Sequence, residues 1–458
     1  MEITLSDGTK IRCDDRPFSQ GAEGEVYFSE GKTHVIKLYF PDPKTGKPDT
    51  HRRTTIDNIL GRFNLVKDDP SRAPYFGWPD SIVISPNLGI RMPMVKDTKP
   101  LDNYVRPAFW KSLPASERGS WQTRLSIAFR MARIMRWMHM RGLCHSDLSL
   151  KNFLVNIKTG QTTLIDCDGL VVPGIQPPSV LGTHMFMAPE IEAGKAKPSV
   201  NTDKHALAVL IYETLLLRHP LQGPKTHGQA DAEKDEQLAY GDGALYIENP
   251  RDKSNRPVKL PFTSDMFTPL VKGLFNKAFI DGLHNPVKRP SAAEWESALQ
   301  RMADRIIPCQ NPSCDMKAFV VPDTPQFKCP WCGTPYRSPG GVIPIALLYR
   351  PGNVKGSFVS DNWSMAAYQT RPIFLYHADS QNSLDHNAPP TPIAHFEADG
   401  KGKWYLKNDG IEDLRVFDGS TSSPVKRGGS IEISSEMKIM LGQSEKSRFV
   451  YVQMLKTA

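Results

Sequence analysis

The first forty residues alternate apolar and polar positions, the two-residue rhythm of β-strands. The rhythm then changes. Between residues 51 and 66, Ile56, Ile59, Leu60 and Phe63 fall on one face at helical spacing and predict a helix. Gly89 to Val95 reads as a buried strand. Trp121 to Met140 carries Leu125, Ala128, Phe129, Ala132, Met135, Trp137 and Met138 at helical spacing, so its Met and Trp side chains are core. Phe153-Leu154-Val155-Asn156 predicts a short strand, Ile157-Lys158-Thr159-Gly160-Gln161 a turn, and Thr163-Leu164-Ile165 the return strand. That hairpin brings Asp166 back beside Asn152. Thr202 to Leu217 is a strongly apolar helix, and residues 224 to 258 are polar with Gly and Pro, an irregular excursion with a solvated face. From Val342 onward short alternating strands are separated by Gly, Asn, Asp and Pro turns, which predicts a β-sandwich.

Composition narrows the class. At 458 residues the chain is long enough for several domains, and 39% hydrophobic with 23% charged residues is ordinary for a protein in water. The net charge of +8 is mild, and no basic block with interleaved aromatics points to nucleic acid. No apolar run approaches the roughly 18–20 residues of a membrane span, and Met1 to Asp7 lacks the pattern of a signal peptide. Four of the seven cysteines cluster late as two pairs, which points to metal in a reducing compartment and a cytoplasmic location.

The chemistry sits in His145-Ser146-Asp147-Leu148-Ser149-Leu150-Lys151-Asn152 and in Ile165-Asp166-Cys167-Asp168-Gly169. Two acids and an amide at this spacing can be brought round one metal-bound phosphate. The run resembles the catalytic loop of protein kinases, H-R-D-L-x-x-x-N, with Ser146 in place of the Arg. The resemblance implies that Asp147 orients the acceptor hydroxyl and takes its proton, and that Asn152 and Asp166 hold Mg²⁺ or Mn²⁺. Asp168 is the runner-up metal ligand. Ser149 stands where such kinases place a Lys for the γ-phosphate, with Lys151 two residues on as an imperfect substitute.

The same resemblance extends over about residues 10 to 305, with the motifs in order. Ser19-Gln20-Gly21-Ala22-Glu23-Gly24-Glu25-Val26 is similar to a phosphate-covering glycine loop, in which Gly21 and Gly24 admit backbone N–H groups and Val26 covers adenine. Lys37, on an otherwise apolar strand, would contact the α and β phosphates. A helix Glu should pair with it, but residues 51 to 66 contain none, leaving Asp57, Asp68 or Asp69 as candidates. Met92, Pro93 and Val95 resemble the hinge, with Met92 behind the adenine and the Pro93 carbonyl and Val95 N–H reading it. Ala188-Pro189-Glu190 resembles the end of an activation segment, and Glu190 should pair with Arg289 to brace the large lobe. Asp203 would cap its helix and hold catalytic-loop amides.

Cys309-x4-Cys314 and Cys329-x2-Cys332, with Gly333 allowing a tight turn, fit a closed tetrahedral zinc site of structural type. Ala394 to Glu397, Lys403 to Asn408, Leu414 to Val416, Gly428 to Ile431 and Ile439 to Gly442 resemble a forkhead-associated (FHA) domain. Where such domains carry the Arg, Ser and Asn that read phosphothreonine, this chain has His377, Pro392 and Asp413.

The expected architecture is therefore multidomain α+β. A bilobal kinase-like domain covers residues 1–305, with lobes dividing near residue 95; a zinc ribbon covers 306–340, and an all-β FHA-like sandwich 341–458. The combination resembles bacterial Ser/Thr kinases of the tellurite-resistance phosphorylation triads. It implies ATP as phosphoryl donor, protein substrates, and partnership with a PP2C-type phosphatase and a von Willebrand A-type protein. The alternative is a pseudokinase scaffold that binds nucleotide and partners without transfer.

Overall fold

An antiparallel sheet opens the chain. Its strands are β1 (Glu2–Leu5), β2 (Lys10–Arg12), β3 (Ser19–Gln20), β4 (Gly24–Phe28), β5 (His34–Tyr39), β6 (Ser81–Ser85) and β7 (Gly89–Pro93), in the order β2-β1-β6-β7-β5-β4-β3. The computed structural model describes residues 1–458 apart from 43–45, 47–49, 107–109, 111, 173–174, 179–180, 227–230, 383–389 and 420, with only the backbone of 50, 232 and 233. Because strand side chains alternate, β5 sends Ile36 and Leu38 into a cluster with Ile3, Leu5, Tyr27 and Val83. Its other face presents Lys37 and Tyr39. Tyr39 packs there with Ile56 of helix α1 (Thr50–Leu60), Ile82, Leu88 and Ile90. The helix expected through residue 66 is shorter. It stops at Leu60, and a separate turn, Leu65–Asp68, starts behind Asn64, whose side chain accepts from the N–H groups of Val66 and Lys67.

The chain continues through β8 (Lys99–Pro100) into helix α2 (Trp121–Met140), whose Leu125, Ala128, Ala132, Met135 and Met138 are buried. Strands β9 (Phe153–Val155) and β10 (Thr162–Leu164) pair in antiparallel register, Leu164 opposite Phe153, and β8 joins on the other side of β9. Helix α3 (Val200–Leu216) is strongly apolar from Ala206 to Tyr212 and buried on nearly every side. Thr202 Oγ1 accepts from Ser199 N–H at 2.9 Å at its start, so the cap is built by Ser199 and Thr202 rather than by Asp203.

The stretch expected as an irregular excursion contains a helix, Ala232–Tyr240, and buried Tyr246, Ile247 and Asn255. The Asn255 amide donates to the carbonyls of Leu221 (2.8 Å) and Leu245 (2.6 Å), so one buried polar side chain replaces regular structure as the organiser.

One acid on α3 is anomalous. Glu213 is buried, its Oε2 has no hydrogen-bond partner among the described residues, and burial pushes its carboxyl up to about 8 despite the nearby Arg106. An acid whose pKa is raised on folding contributes most stability below its ordinary value of 4.5 and loses it as pH rises towards 8. Glu213→Gln should therefore raise the thermal midpoint at pH 7.5, by up to about 4 kcal/mol of stability, and change little at pH 4.5. Equal effects at both pH values would contradict the burial of a neutral carboxyl.

Residues 297–458, with 120–122 and 264–272, make a second compact unit. It starts from a two-stranded ribbon, β11 (Ile306–Pro308) with β12 (Ala318–Val320). Two antiparallel sheets follow. One has the order β14-β13-β22-β21-β18-β19 (Phe358–Ala366, Val342–Pro351, Phe449–Lys456, Lys438–Leu441, Leu414–Asp418, Thr421–Pro424). The other is β15-β16-β17-β20 (Arg371–Phe374, Pro392–Ala398, Trp404–Asn408, Ser430–Ile433). Both contribute to one apolar core that includes Leu348, Met365, Phe396, Trp404, Leu406, Leu414 and Val450.

Of the three positions aligned with a phosphate-reading set, only two are at the surface. Pro392 and Asp413 are exposed, and Asp413 has φ +56°. His377 is fully buried in the short helix Leu375–Ala378, where its Nδ1 accepts from Phe374 N–H at 3.0 Å and its Nε2 donates to Asp304 at 3.2 Å. His377 is therefore a core imidazole, closed to any ligand, and not a surface-loop residue. The alternation of a half-buried strand does not reveal a polar side chain satisfied inside.

Candidate active site

Lys37 projects from β5 on the face shared with Tyr39 and is mostly buried. Its Nζ donates to Asp166 Oδ1 and to Asp168 Oδ2, both at 2.8 Å, and lies 3.8 Å from Glu23 Oε2. Burial opposes the charge on Lys37, but Asp168 and Asp166 outweigh it and hold the ammonium above its ordinary pKa. None of the acids considered from the sequence pairs with it. Asp57 is engaged with Arg53 at 3.2 Å, Asp68 with Arg141 at 3.0 Å and Asp69 with Arg72 at 3.3 Å. Asp57 points along its own helix, at the i,i+4 spacing that favours a local pair.

The two aspartates differ in environment. The Asp166 side chain is 43% exposed and that of Asp168 is 1% exposed. Asp166 takes the left-handed conformation, φ +63°, at the exit from β10. The charge of Asp168 raises the Asp166 carboxyl above the usual range, whereas Lys37 overrides burial and holds Asp168 below it.

Asp147 lies in the loop between α2 and β9. Its Oδ1 accepts from Thr183 Oγ1 at 2.7 Å, and its backbone carbonyl accepts from Asn152 Nδ2 at 2.8 Å. The Asn152 amide is thereby oriented, and its Oδ1 has no donor among the described residues. The loop is held from below by Asp203, which accepts from His145 N–H at 2.8 Å and Ser146 N–H at 3.2 Å. Ser146 is itself left-handed, φ +65°. His145 Nε2 donates to the Ile165 carbonyl at 3.1 Å, tying the loop to the residue before Asp166. Gly182, φ +118°, passes so close that a Cβ there would meet the Ser146 carbonyl at 2.8 Å. Arg289 donates bidentately to both oxygens of Glu190 at 2.7 Å, and its side chain is fully buried. Lys151 is exposed beside this loop.

The remaining positions line the sheet. A Cβ on Gly24 would lie 2.1 Å from the Leu38 carbonyl, so Gly24 is required by the close approach of β4 to β5, while Gly21 faces open space. Val26 pairs with Lys37 across the same two strands. Met92 and Pro93 end β7, Met94 N–H bonds Thr33, and the N–H of Val95 has no acceptor among the described residues. Sequence reasoning missed the parts played by Tyr39, Arg52 and Glu23. Tyr39 was within reach, because residues two apart on a strand share a face.

Residues 91–298 match the protein kinase domain family. The chain carries a protein kinase domain. The match begins within β7, so Lys37 and the glycine-bearing strands precede it. Among curated proteins, the chain is 27% identical over 190 residues to the mouse "Dual serine/threonine and tyrosine protein kinase", covering 42% of this chain and 18% of that protein. It is 28% identical over 187 residues to the Takifugu rubripes protein of that name (41% and 18%), and 27% over 185 residues to the human one (40% and 17%). The chain thus spans under a fifth of these relatives' length.

The four late cysteines also converge. The sulfurs of Cys309, Cys314, Cys329 and Cys332 all lie within 4.8 Å of one another, with Cys309–Cys332 at 3.6 Å and Cys314–Cys329 at 3.9 Å. Four thiolates about 2.3 Å from a central zinc would stand about 3.8 Å apart at tetrahedral corners. The donor set and spacing fit that ion. No helix among the described residues is long and apolar enough to cross a membrane.

Proposed function

We propose that the protein is an ATP-dependent Ser/Thr protein kinase. The observation that carries this reading is Asp147, a carboxylate held by Thr183 and locked through its own carbonyl to Asn152. In the reaction the acceptor hydroxyl oxygen bonds to the γ-phosphorus, the bond from that phosphorus to the β-bridging oxygen breaks, ADP leaves, and the hydroxyl proton passes to Asp147. Lys37 contacts the α and β phosphates. Gly21, Gly24 and Val26 cover the nucleotide, while Met92, Pro93 and Val95 form the adenine wall. Asn152 and Asp166 would hold Mg²⁺ or Mn²⁺, which when bound neutralises phosphate charge. Glu190, Arg289 and Asp203 keep the loop and its supporting helix in place. With γ-labelled ATP and a mixed protein acceptor, acid-stable label should appear as phosphoserine and phosphothreonine. Label confined to phosphotyrosine would overturn the acceptor assignment.

The finer assignments rest on the resemblance and the cysteine geometry. Residues 306–340 are read as a structural zinc ribbon held by Cys309, Cys314, Cys329 and Cys332. Residues 341–458 are read as an FHA-like sandwich that binds a protein surface. The setting is a cytoplasmic bacterial stress response of the tellurite-resistance type, beside a PP2C-type phosphatase and a von Willebrand A-type protein. The buried His377 and exposed Asp413 favour a tail that does not read phosphothreonine. On a phosphothreonine peptide array the full chain should bind no better than to the unphosphorylated array. Phosphatase-sensitive capture by the wild-type chain would contradict this.

A further inference from the structure

We propose that Asp168 is the residue that positions Lys37, and that α1 reaches this pair through a cation, Arg52, instead of an acid. The inference deepens the nucleotide-site reading and rests on it. Two carboxylates hydrogen-bond Lys37, with Glu23 more distant at 3.8 Å, and those two are unequal. Asp168 is 1% exposed at its side chain, and its Oδ2 accepts from both Lys37 Nζ (2.8 Å) and the Tyr39 hydroxyl. Asp166 is 43% exposed and has Lys37 as its partner at 2.8 Å. Asp166 is open to a metal arriving with nucleotide, whereas Asp168 is enclosed, its Oδ2 holding Lys37 and Tyr39 and its Oδ1 buried without a partner among the described residues. The labours therefore divide, with Asp166 facing the metal and Asp168 the lysine.

Tyr39 connects this pair to the helix. It stands two residues beyond Lys37 on the same strand face. The Arg52 guanidinium lies 4.6 Å from the centre of its ring. Arg52 also donates to both oxygens of Glu23, at 2.7 and 3.2 Å, fastening the glycine-bearing turn to α1. Where a helix acid would contact the lysine directly, this chain has a relay from Glu23 through Arg52 and Tyr39 to Asp168. Asp168 and Tyr39 are positioning residues. They act through Lys37 and need not touch the nucleotide.

Two readouts on the full chain test the division. The first is acylation of Lys37 by acetic anhydride, followed by mass spectrometry in the absence of nucleotide. Asp168→Asn should raise the Lys37 labelling rate at least about tenfold, and Tyr39→Phe about threefold, since each loses a bond to a charged group. The second is ATP affinity by calorimetry with Mg²⁺ and with EDTA. The gain on adding Mg²⁺ should survive in Asp168→Asn and vanish in Asp166→Asn. Loss of that gain in Asp168→Asn with its retention in Asp166→Asn would reverse the roles and overturn the proposal. So would unchanged Lys37 labelling in Asp168→Asn and Tyr39→Phe. Should Asp168→Asn fail to fold, Tyr39→Phe decides, because it removes one hydroxyl and keeps the ring under Arg52. Wild-type protein that binds no ATP would refute the nucleotide reading, whereas the labelling result separately judges the lysine anchor.

Discussion

Asp147→Asn should bind ATP as the wild type does and transfer phosphate about a hundred- to ten-thousandfold more slowly. The substitution keeps the shape of the side chain and its capacity to accept from Thr183, whose hydroxyl sits at 2.7 Å. It also leaves intact the backbone carbonyl that receives the Asn152 amide at 2.8 Å. What it removes is the negative charge that orients the acceptor hydroxyl and the basic oxygen that takes its proton. Lys37, the glycine turn and the hinge are untouched, so the loss should fall on kcat. Calorimetric ATP affinity and initial transfer rate, measured on one preparation, check this. Unchanged transfer would show that another group serves as base.

Removing metal from the cysteine cluster should unfold residues 306–340. The segment is short for a self-supporting core, with β11 and β12 pairing over three residues each. Four sulfurs within 4.8 Å would repel as thiolates without a cation between them. Structural zinc sites of this kind supply about 10–16 kcal/mol, more than the stability of many whole domains. The purified protein should carry about one zinc per chain by elemental analysis. Cys329→Ser/Cys332→Ser should lose it and expose the ribbon to limited proteolysis. Metal-free protein with a protease-resistant ribbon would refute the site.

Much of this was legible in the chain because it is local. The turn at Ile157–Gln161 and the flanking apolar triplets predicted the hairpin that returns Asp166 to the neighbourhood of Asn152. The structure pairs those strands one residue earlier on the return side. The order of glycines, Lys37, the hinge and the catalytic loop points to a kinase-like domain, and the paired cysteines point to a metal.

The ionic partner of Lys37 was not legible. Asp166 and Asp168 lie 129 and 131 residues away, and spacing along α1 says nothing of them. Helical spacing offers Asp57 on α1, but Asp57 pairs with Arg53, and the α1 side chain that reaches Glu23 and Tyr39 is Arg52. His377 escaped for a related reason. Burial of a polar ring depends on a distant carboxylate, here Asp304, 73 residues earlier. Asn255 did the same in the polar stretch before it, where two carbonyls on different segments are satisfied by one amide. In each case the deciding contact is a long-range hydrogen bond, invisible to periodicity.

The most direct test of the central claim is initial-rate transfer of label from γ-labelled ATP to a protein acceptor, with Mg²⁺, by wild-type protein already shown to bind ATP. The account predicts label on the acceptor from the wild type and a loss of at least about a hundredfold in Asp147→Asn. Wild-type protein that binds Mg²⁺ and ATP yet labels neither itself nor any acceptor would contradict it, and would make the domain a nucleotide-binding scaffold.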